Sequence, residues 1–240
     1  MRKAEICLPK SESWRMFDEI SSRYDLLNRL LSFGLDLSWR RKISRFLGRK
    51  PGQRLLDLAT GTADVLLTLA NHPHIQKGVG VDLADQMLAL GEAKIRKRRL
   101  GHRLSLQQGD IQRLPFSNES FDVATIAFGI RNVPDPQKVL KEMFRVLKKE
   151  GRALILEFSL PANRWVRFFH LFYLRNIVPA VGFIFSGRRA AYRYLNQTIE
   201  DFPFGEAFCR MMRETGFQQV KAHPLSFGVA TIYQGDKSGG

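Results

Sequence analysis

Three carboxylates stand where short apolar runs end: Asp57 within residues 54–59, Asp82 after Gly78 to Val81, and Asp110 after Leu104 to Gly109. The first leads into Asp57-Leu58-Ala59-Thr60-Gly61-Thr62-Ala63-Asp64, a turn built largely of small residues. A turn of that kind between strand and helix lets the backbone approach a ligand closely and presents N–H groups at the helix N-terminus. Only Gly61 is a glycine and an acid precedes the turn, so the three-glycine pyrophosphate fingerprint is missing. A cationic ligand with an amino group tolerates Asp57 where a pyrophosphate would not. Asp82 falls 21 residues after Gly61, where α/β nucleotide folds place an acid for the ribose hydroxyls. Gly109-Asp110 offers a carboxylate and a side-chain-free backbone, suited to an adenine edge. Acids at three consecutive strand ends fit ligand binding better than stability, because ligands in such sheets bind outside the carboxyl ends.

The elements that must position these acids follow from the alternation of apolar runs and helical patterns after residue 54, the mark of a parallel α/β sheet with buried strands. Strands are expected over 54–59, 78–83, 104–110, 121–128 and 151–158, with helices over 64–71, 84–98 and 136–148. The last of these enters through Asp135-Pro136 and is expected to close at Gly151. A helix near Glu206 to Thr215, ended by Gly216, leads to strands over 218–224 and 229–235. Their link is so short that they must form an antiparallel hairpin, since parallel strands need a crossover of about a dozen residues or more. This order resembles the class I S-adenosylmethionine-dependent methyltransferase fold, a Rossmann-like, mostly parallel seven-stranded sheet with an antiparallel last strand. One domain spans 1–240: a helical N-terminal cap over 1–50, a cofactor-binding core over 51–160, a helical insertion or lid over 161–200, and the terminal helix and hairpin over 201–240.

With 44% hydrophobic and 25% charged residues in 240, the chain has the composition of a globular domain. Its formal net charge of +15 points to a polyanionic partner, nucleic acid or an anionic membrane surface. The cap carries +6 and residues 161–200 carry +5, while the final 40 residues balance. The basic cluster from Lys94 to Arg103 is read as a solvated helix end. Cys7 and Cys209 form no Cys-x-x-Cys pair and no Cys/His cluster, so no disulfide framework and no metal site is expected. A reducing cytoplasm fits. The N-terminus lacks the apolar stretch of a secretory signal, and Phe168 to Phe185 is interrupted by His170, Arg175, Asn176 and Pro179, so no spanning helix is expected. Histidines 72, 74, 102, 170 and 223 are assigned no catalytic role.

The chain resembles the menaquinone and ubiquinone biosynthesis C-methyltransferases over almost its whole length. The match is carried by Phe17 to Asn28 with Arg23-Tyr24-Asp25, Ser32-Phe33-Gly34 with Trp39, Leu56 to Asp64, and Gly109-Asp110 with Leu114-Pro115-Phe116. It continues in Phe128-Gly129-Ile130-Arg131-Asn132-Val133, Arg145 to Lys148, Leu156 to Ser159 and Tyr192-Arg193-Tyr194-Leu195. The resemblance implies S-adenosyl-L-methionine as methyl donor, no metal, and a polyprenylated quinol as substrate, with demethylmenaquinol preferred over 2-methoxy-6-polyprenyl-1,4-benzoquinol. On matching positions the cofactor site comprises Thr62, Asp82 and Gly109-Asp110, beside Gly61 of the turn. Two departures stand out: many relatives have Gly where this chain has Ala63, and Ser where it has Ala127.

The chemistry thus implied is attack of a quinol ring carbon on an activated methyl group, which asks the protein for positioning and for stabilisation of the phenolic anion. Arg131 is expected to hold that anion electrostatically, since guanidinium does not readily lose a proton, with Asn132 orienting it. Tyr24, Asp25, Asn28, Tyr192 and Tyr194 are candidates for the substrate pocket. A nucleic-acid methyltransferase is the alternative within the fold, but the Asn/Asp-Pro-Pro-aromatic motif and a nearby cysteine are both missing after strand four. A noncatalytic membrane-binding module is the alternative outside it, and a nicotinamide dehydrogenase lacks its fingerprint. The surplus charge then reads as a face toward an anionic membrane, giving a cytoplasmic enzyme peripherally bound to the inner leaflet; a homo-oligomer stays open.

Overall fold

The computed structural model describes residues 10–19, 21, 25, 28, 29, 32, 34–180 and 197–239. In the cap, α1 (Ser13–Glu19) follows a short 3-10 turn and α2 (Leu35–Ile43) leads into the sheet. The core runs β1 (Gln53–Leu58), α3 (Asp64–Ala70), β2 (Ile75–Asp82), α4 (Asp85–Lys97), β3 (Leu104–Gln108), β4 (Phe121–Ala127), α5 (Pro136–Val146) and β5 (Leu147–Phe158). The chain closes with α6 (Arg164–Phe172), a π-helical turn (Tyr173–Ile177), α7 (Glu206–Thr215), β6 (Gln218–Leu225) and β7 (Ala230–Asp236). Tyr24, Tyr192, Tyr194 and Cys7 lie outside the described residues.

The strands form one sheet in the order β3-β2-β1-β4-β5-β7-β6. β7 is antiparallel to both β5 and β6, and the other pairings are parallel, so the expected hairpin is present. Successive residues of β1 feed opposite faces, as the two-residue strand period requires. Leu55 packs with Trp39, Ile43, Leu66 and Leu69 on one side, while Leu56 and Leu58 pack with Leu140, Met143, Phe208 and Met212 on the other. Two buried layers therefore hold the sheet rigid and leave its carboxyl edge, where the strand-end acids lie, free to bind.

Three boundaries differ from expectation: β2 starts at Ile75 rather than 78, β3 ends at Gln108 rather than 110, and the junction of α5 with β5 is moved most. α5 does not continue to Lys148 with Gly151 as its stop; it ends at Val146, and β5 starts at once with Leu147 paired to Phe121. The register then slips between Phe121 and Val123, and a Cβ on Gly151 would stand 2.7 Å from the Lys148 carbonyl. The glycine serves a bulge within a strand. Lys148 explains why the strand starts early: its Nζ bonds both oxygens of Asp122 at 3.0 and 2.9 Å, tying it to β4. At α7 the expectation holds, with Gly216 as the left-handed cap.

Candidate functional site

The turn after β1 and the end of β2 are joined by one carboxylate. Asp82 Oδ2 accepts from the Gly61 N–H at 2.8 Å and Oδ1 accepts from the Ala84 N–H at 3.0 Å. A carboxylate has about four acceptor sites, so both oxygens can still receive a hydroxyl. Burial pushes its pKa up, against the backbone donors of Ala84, Gly61 and Leu83. The Gly109 N–H donates to the Asp82 carbonyl at 2.9 Å, which brings the third strand end alongside. Asp110 Oδ1 accepts from the Gln112 N–H at 2.9 Å, fixing the chain that follows.

These groups wall a cavity of about 220 Å³ with Gly61, Asp82, Gly109 and Asp110 on one side and Ala127, Phe128, Gly129 and Asn132 on another. Met87 and Ile111 supply apolar wall, and Lys10, Ser13 and Trp14 close it from the cap. A narrow annex of about 30 Å³, lined by Asp57, Thr60, Gly61 and Thr62, shares Ala59, Gly61 and Ala127 with the main space. Asp57 is buried there between two hydroxyls, Thr125 at 2.6 Å and Thr60 at 2.7 Å. Burial lifts its carboxyl to about 6, although the two hydroxyls pull the other way.

Two of the expected site residues face elsewhere. Thr62 borders the annex, but its hydroxyl donates to Asp25 at 2.8 Å and accepts from Lys94 at 2.8 Å. Lys94 also bonds Asp25 at 2.5 Å and Asp64 at 2.7 Å, and Asp64 receives Arg40 at 2.8 Å. This ionic network locks the cap onto the turn, and it accounts for Asp25 as well, which meets it rather than the cavity. Arg131 lies behind the cavity wall: its Nη1 donates to the Phe128 carbonyl at 2.9 Å and to Glu157 Oε1 at 2.5 Å, and its guanidinium stacks on Phe158 at 5.2 Å. Burial pushes Glu157 up, and Arg131 opposes this.

What Arg131 holds is a strained turn. Phe128 has φ 58, disfavoured for a bulky L residue, and a Cβ on Gly129 would stand 2.6 Å from that of Ala59. Asn132 Nδ2 adds a second bond to the Phe128 carbonyl at 3.3 Å, while its buried Oδ1 has no hydrogen-bond partner among the described residues. Ser13 Oγ donates to the Asn132 carbonyl at 3.1 Å. The cap wall of Lys10, Ser13 and Trp14 was not foreseen, since no spacing rule links positions 119 residues apart.

The residues fit S-adenosylmethionine: an acid with free acceptor sites for a ribose, apolar walls and a bare backbone for a base, and a buried carboxylate beside the annex for a cationic end. Among the described residues, no cluster of His, Cys, Asp and Glu is arranged to hold a metal. The sequence profile of the ubiE/COQ5 methyltransferase family matches residues 9–237. The chain is 44% identical over 225 residues to the ubiquinone/menaquinone biosynthesis C-methyltransferase UbiE of Geotalea daltonii, covering 92% of this chain and 94% of that one. It is 44% identical to the demethylmenaquinone methyltransferase of Thermus thermophilus, covering 92% and 100%. A SAM-dependent methyltransferase of Thermotoga maritima, described as a possible histamine N-methyltransferase, superposes with TM-score 0.66 at 20% identity, covering 94% of this chain and all of that one.

Proposed function

The chain belongs to the ubiE/COQ5 methyltransferase family, and from that premise we propose that it methylates a ring carbon of a polyprenylated quinol, demethylmenaquinol in menaquinone biosynthesis. The observation that carries the reading is the meeting of Asp82, Gly61 and Gly109-Asp110 with the Phe128-to-Asn132 turn around one cavity. S-adenosylmethionine supplies an electrophilic methyl group on a sulfonium. Asp82 would hold the ribose hydroxyls, Gly109, Asp110 and Ile111 the base, and Gly61 with Asp57 the amino-acid end, whose ammonium offsets the buried carboxylate.

On the substrate side Asn132 is the group for the quinol. Its buried Oδ1, which has no partner among the described residues, would turn to accept a ring hydroxyl and so direct the ring toward the donor. Arg131 serves as a positioning residue that fastens Phe128, and through it the wall on which the ring rests. This revises the expectation of direct contact between Arg131 and a phenolate. Thr62 contributes by pinning the cofactor turn to the cap. The motif of amino-group nucleic-acid methylation is missing after β4, so a nucleic-acid substrate is not part of the reading.

A substrate with a polyprenyl tail resides in lipid, so the enzyme works as a peripheral visitor to the inner, anionic face of the membrane. The excess charge of 1–50 and 161–200 supports this, and no described helix is long and apolar enough to cross a membrane. The test is methyl transfer from labelled S-adenosylmethionine to reduced demethylmenaquinone and to reduced 2-methoxy-6-polyprenyl-1,4-benzoquinone, side by side. Faster labelling of the naphthoquinol is expected; faster labelling of the benzoquinol would move the function to ubiquinone biosynthesis.

A further inference from the structure

We propose that the outward face of α6, together with Phe227, is the element that inserts into the anionic lipid surface; this rests on the membrane reading above and specifies where it is carried out. Trp165, Phe168, Phe169 and Phe172 recur at the spacing of a stripe that normally faces a core. They are instead 65, 61, 64 and 54% exposed. The inward side of the helix is made of the half-buried Val166, Arg167, His170 and Leu171. Beyond α6 the chain is anchored through Leu174 and Val178, buried with Ile199 against Phe158 and Leu160. At the other end Asn163 Oδ1 caps the helix, accepting from the Trp165 and Val166 N–H groups at 2.9 and 3.2 Å, and Arg167 Nε donates to the Pro161 carbonyl at 2.8 Å. Both ends are fixed, so the aromatic stripe is held outward by the fold.

Phe227 repeats the pattern from another part of the chain. It is 86% exposed with φ 60, a conformation that disfavours a bulky side chain. The turn holding it is fastened by Trp39 Nε1 to Ser226 Oγ at 2.9 Å and Ser159 Oγ to the Gly228 carbonyl at 2.8 Å. A Cβ on Gly228 would stand 3.3 Å from the Pro161 Cα, so this turn abuts the segment leading into α6. Two exposed aromatic features thus adjoin at the carboxyl edge of the sheet, the edge on which the cavity lies.

Charge selects the occupant. Residues 161–200 contain six arginines and one acid, Glu200, which is itself paired with Arg175. Arg164 lies over the Trp165 ring at 5.6 Å. Aromatics seated at the interface with arginines reaching anionic headgroups is the composition of an interfacial helix.

The experiment uses the full chain with vesicles of phosphatidylglycerol and phosphatidylcholine, plain or brominated in the acyl chains. Brominated lipid is expected to quench the tryptophan emission, and Trp165→Phe is expected to bind but to lose that quenching. The triple variant Phe168→Ser, Phe169→Ser, Phe227→Ser is expected to partition at least about tenfold more weakly, with unchanged thermal stability and unchanged kcat/KM on a quinol of short, water-soluble tail. If wild type binds the vesicles but Trp165 is not quenched, or the triple variant binds equally well, the inference is overturned while the membrane reading stands. If wild type binds no vesicle, both fall; capture of a protein partner by the same face would then replace them.

Discussion

Asp57 carries a cost that a cationic ligand would remove. Its folded pKa of about 6 lies above the ordinary aspartate value of 3.8, so between those values the native state binds more protons than the unfolded one. The stability gained from the neutral carboxyl is complete below about 4 and is lost as pH rises through about 6, a change of about 3 kcal/mol by linkage. Thermal unfolding of the free protein and of Asp57→Asn should therefore diverge with rising pH, the variant gaining on wild type between pH 4 and 7; parallel curves would contradict the burial argument. A cation bound beside Asp57 favours its charged form, so cofactor affinity should weaken as pH falls from 7 to 5, with proton release in calorimetry. Asp82→Ala should weaken cofactor binding by roughly 10- to 100-fold, the worth of charge-assisted hydrogen bonds. At this scale the lining of the cavity was legible: that Asp82, Gly61 and Gly109-Asp110 come together could be read from strand ends and spacing. The orientation of a side chain could not. Thr62 and Arg131 stand in the right motifs, yet their polar atoms face Lys94 and Glu157, partners that no local pattern announces. Ala63 is a milder case: its φ of 64 explains why glycine suits the position, while its full burial in the core explains why a methyl is retained.

The elements were legible where burial is simple. Strands covered on both faces read as continuous apolar runs, and β1, β2, β4 and β7 came through to within a few residues. The α5 boundary did not, because Leu147 and Lys148 satisfy a helical pattern equally well and only pairing with β4 decides. The turn from Phe128 to Asn132 forms one wall of the cavity, and the buried Arg131–Glu157 pair is what fastens it. Removing one member leaves a charge buried alone. Arg131→Ala should cost about 3–5 kcal/mol in denaturant unfolding, whereas Arg131→Met with Glu157→Leu should recover most of that loss. If the turn's position is what matters, the double variant should bind S-adenosylmethionine near normally and still show a depressed kcat, since the Phe128 carbonyl has lost its guanidinium. Wild-type kcat in the double variant would show that the pair contributes stability only.

Over the whole molecule, charge and fold divide the labour. The core over 51–160, which walls the cavity, carries only +4 of the +15, while the 90 residues of the cap and of 161–200 carry +11, the surplus that made the charge ambiguous in the sequence. Composition alone could not choose between nucleic acid and lipid; the exposed aromatic stripe among arginines favours lipid. Vesicle affinity should fall steeply between low and physiological salt, because surface charges are screened over about 10 Å at 0.1 M, and salt-independent binding would contradict an electrostatic contribution. The central claim is transfer of a methyl group to a quinol ring carbon. It is tested most directly by carbon-13 magnetic resonance of the product formed from methyl-labelled S-adenosylmethionine and demethylmenaquinol. A new aromatic C–CH₃ signal is expected, and its loss in Asp82→Ala at limiting cofactor. Label on oxygen, or no label in either quinol, would contradict it.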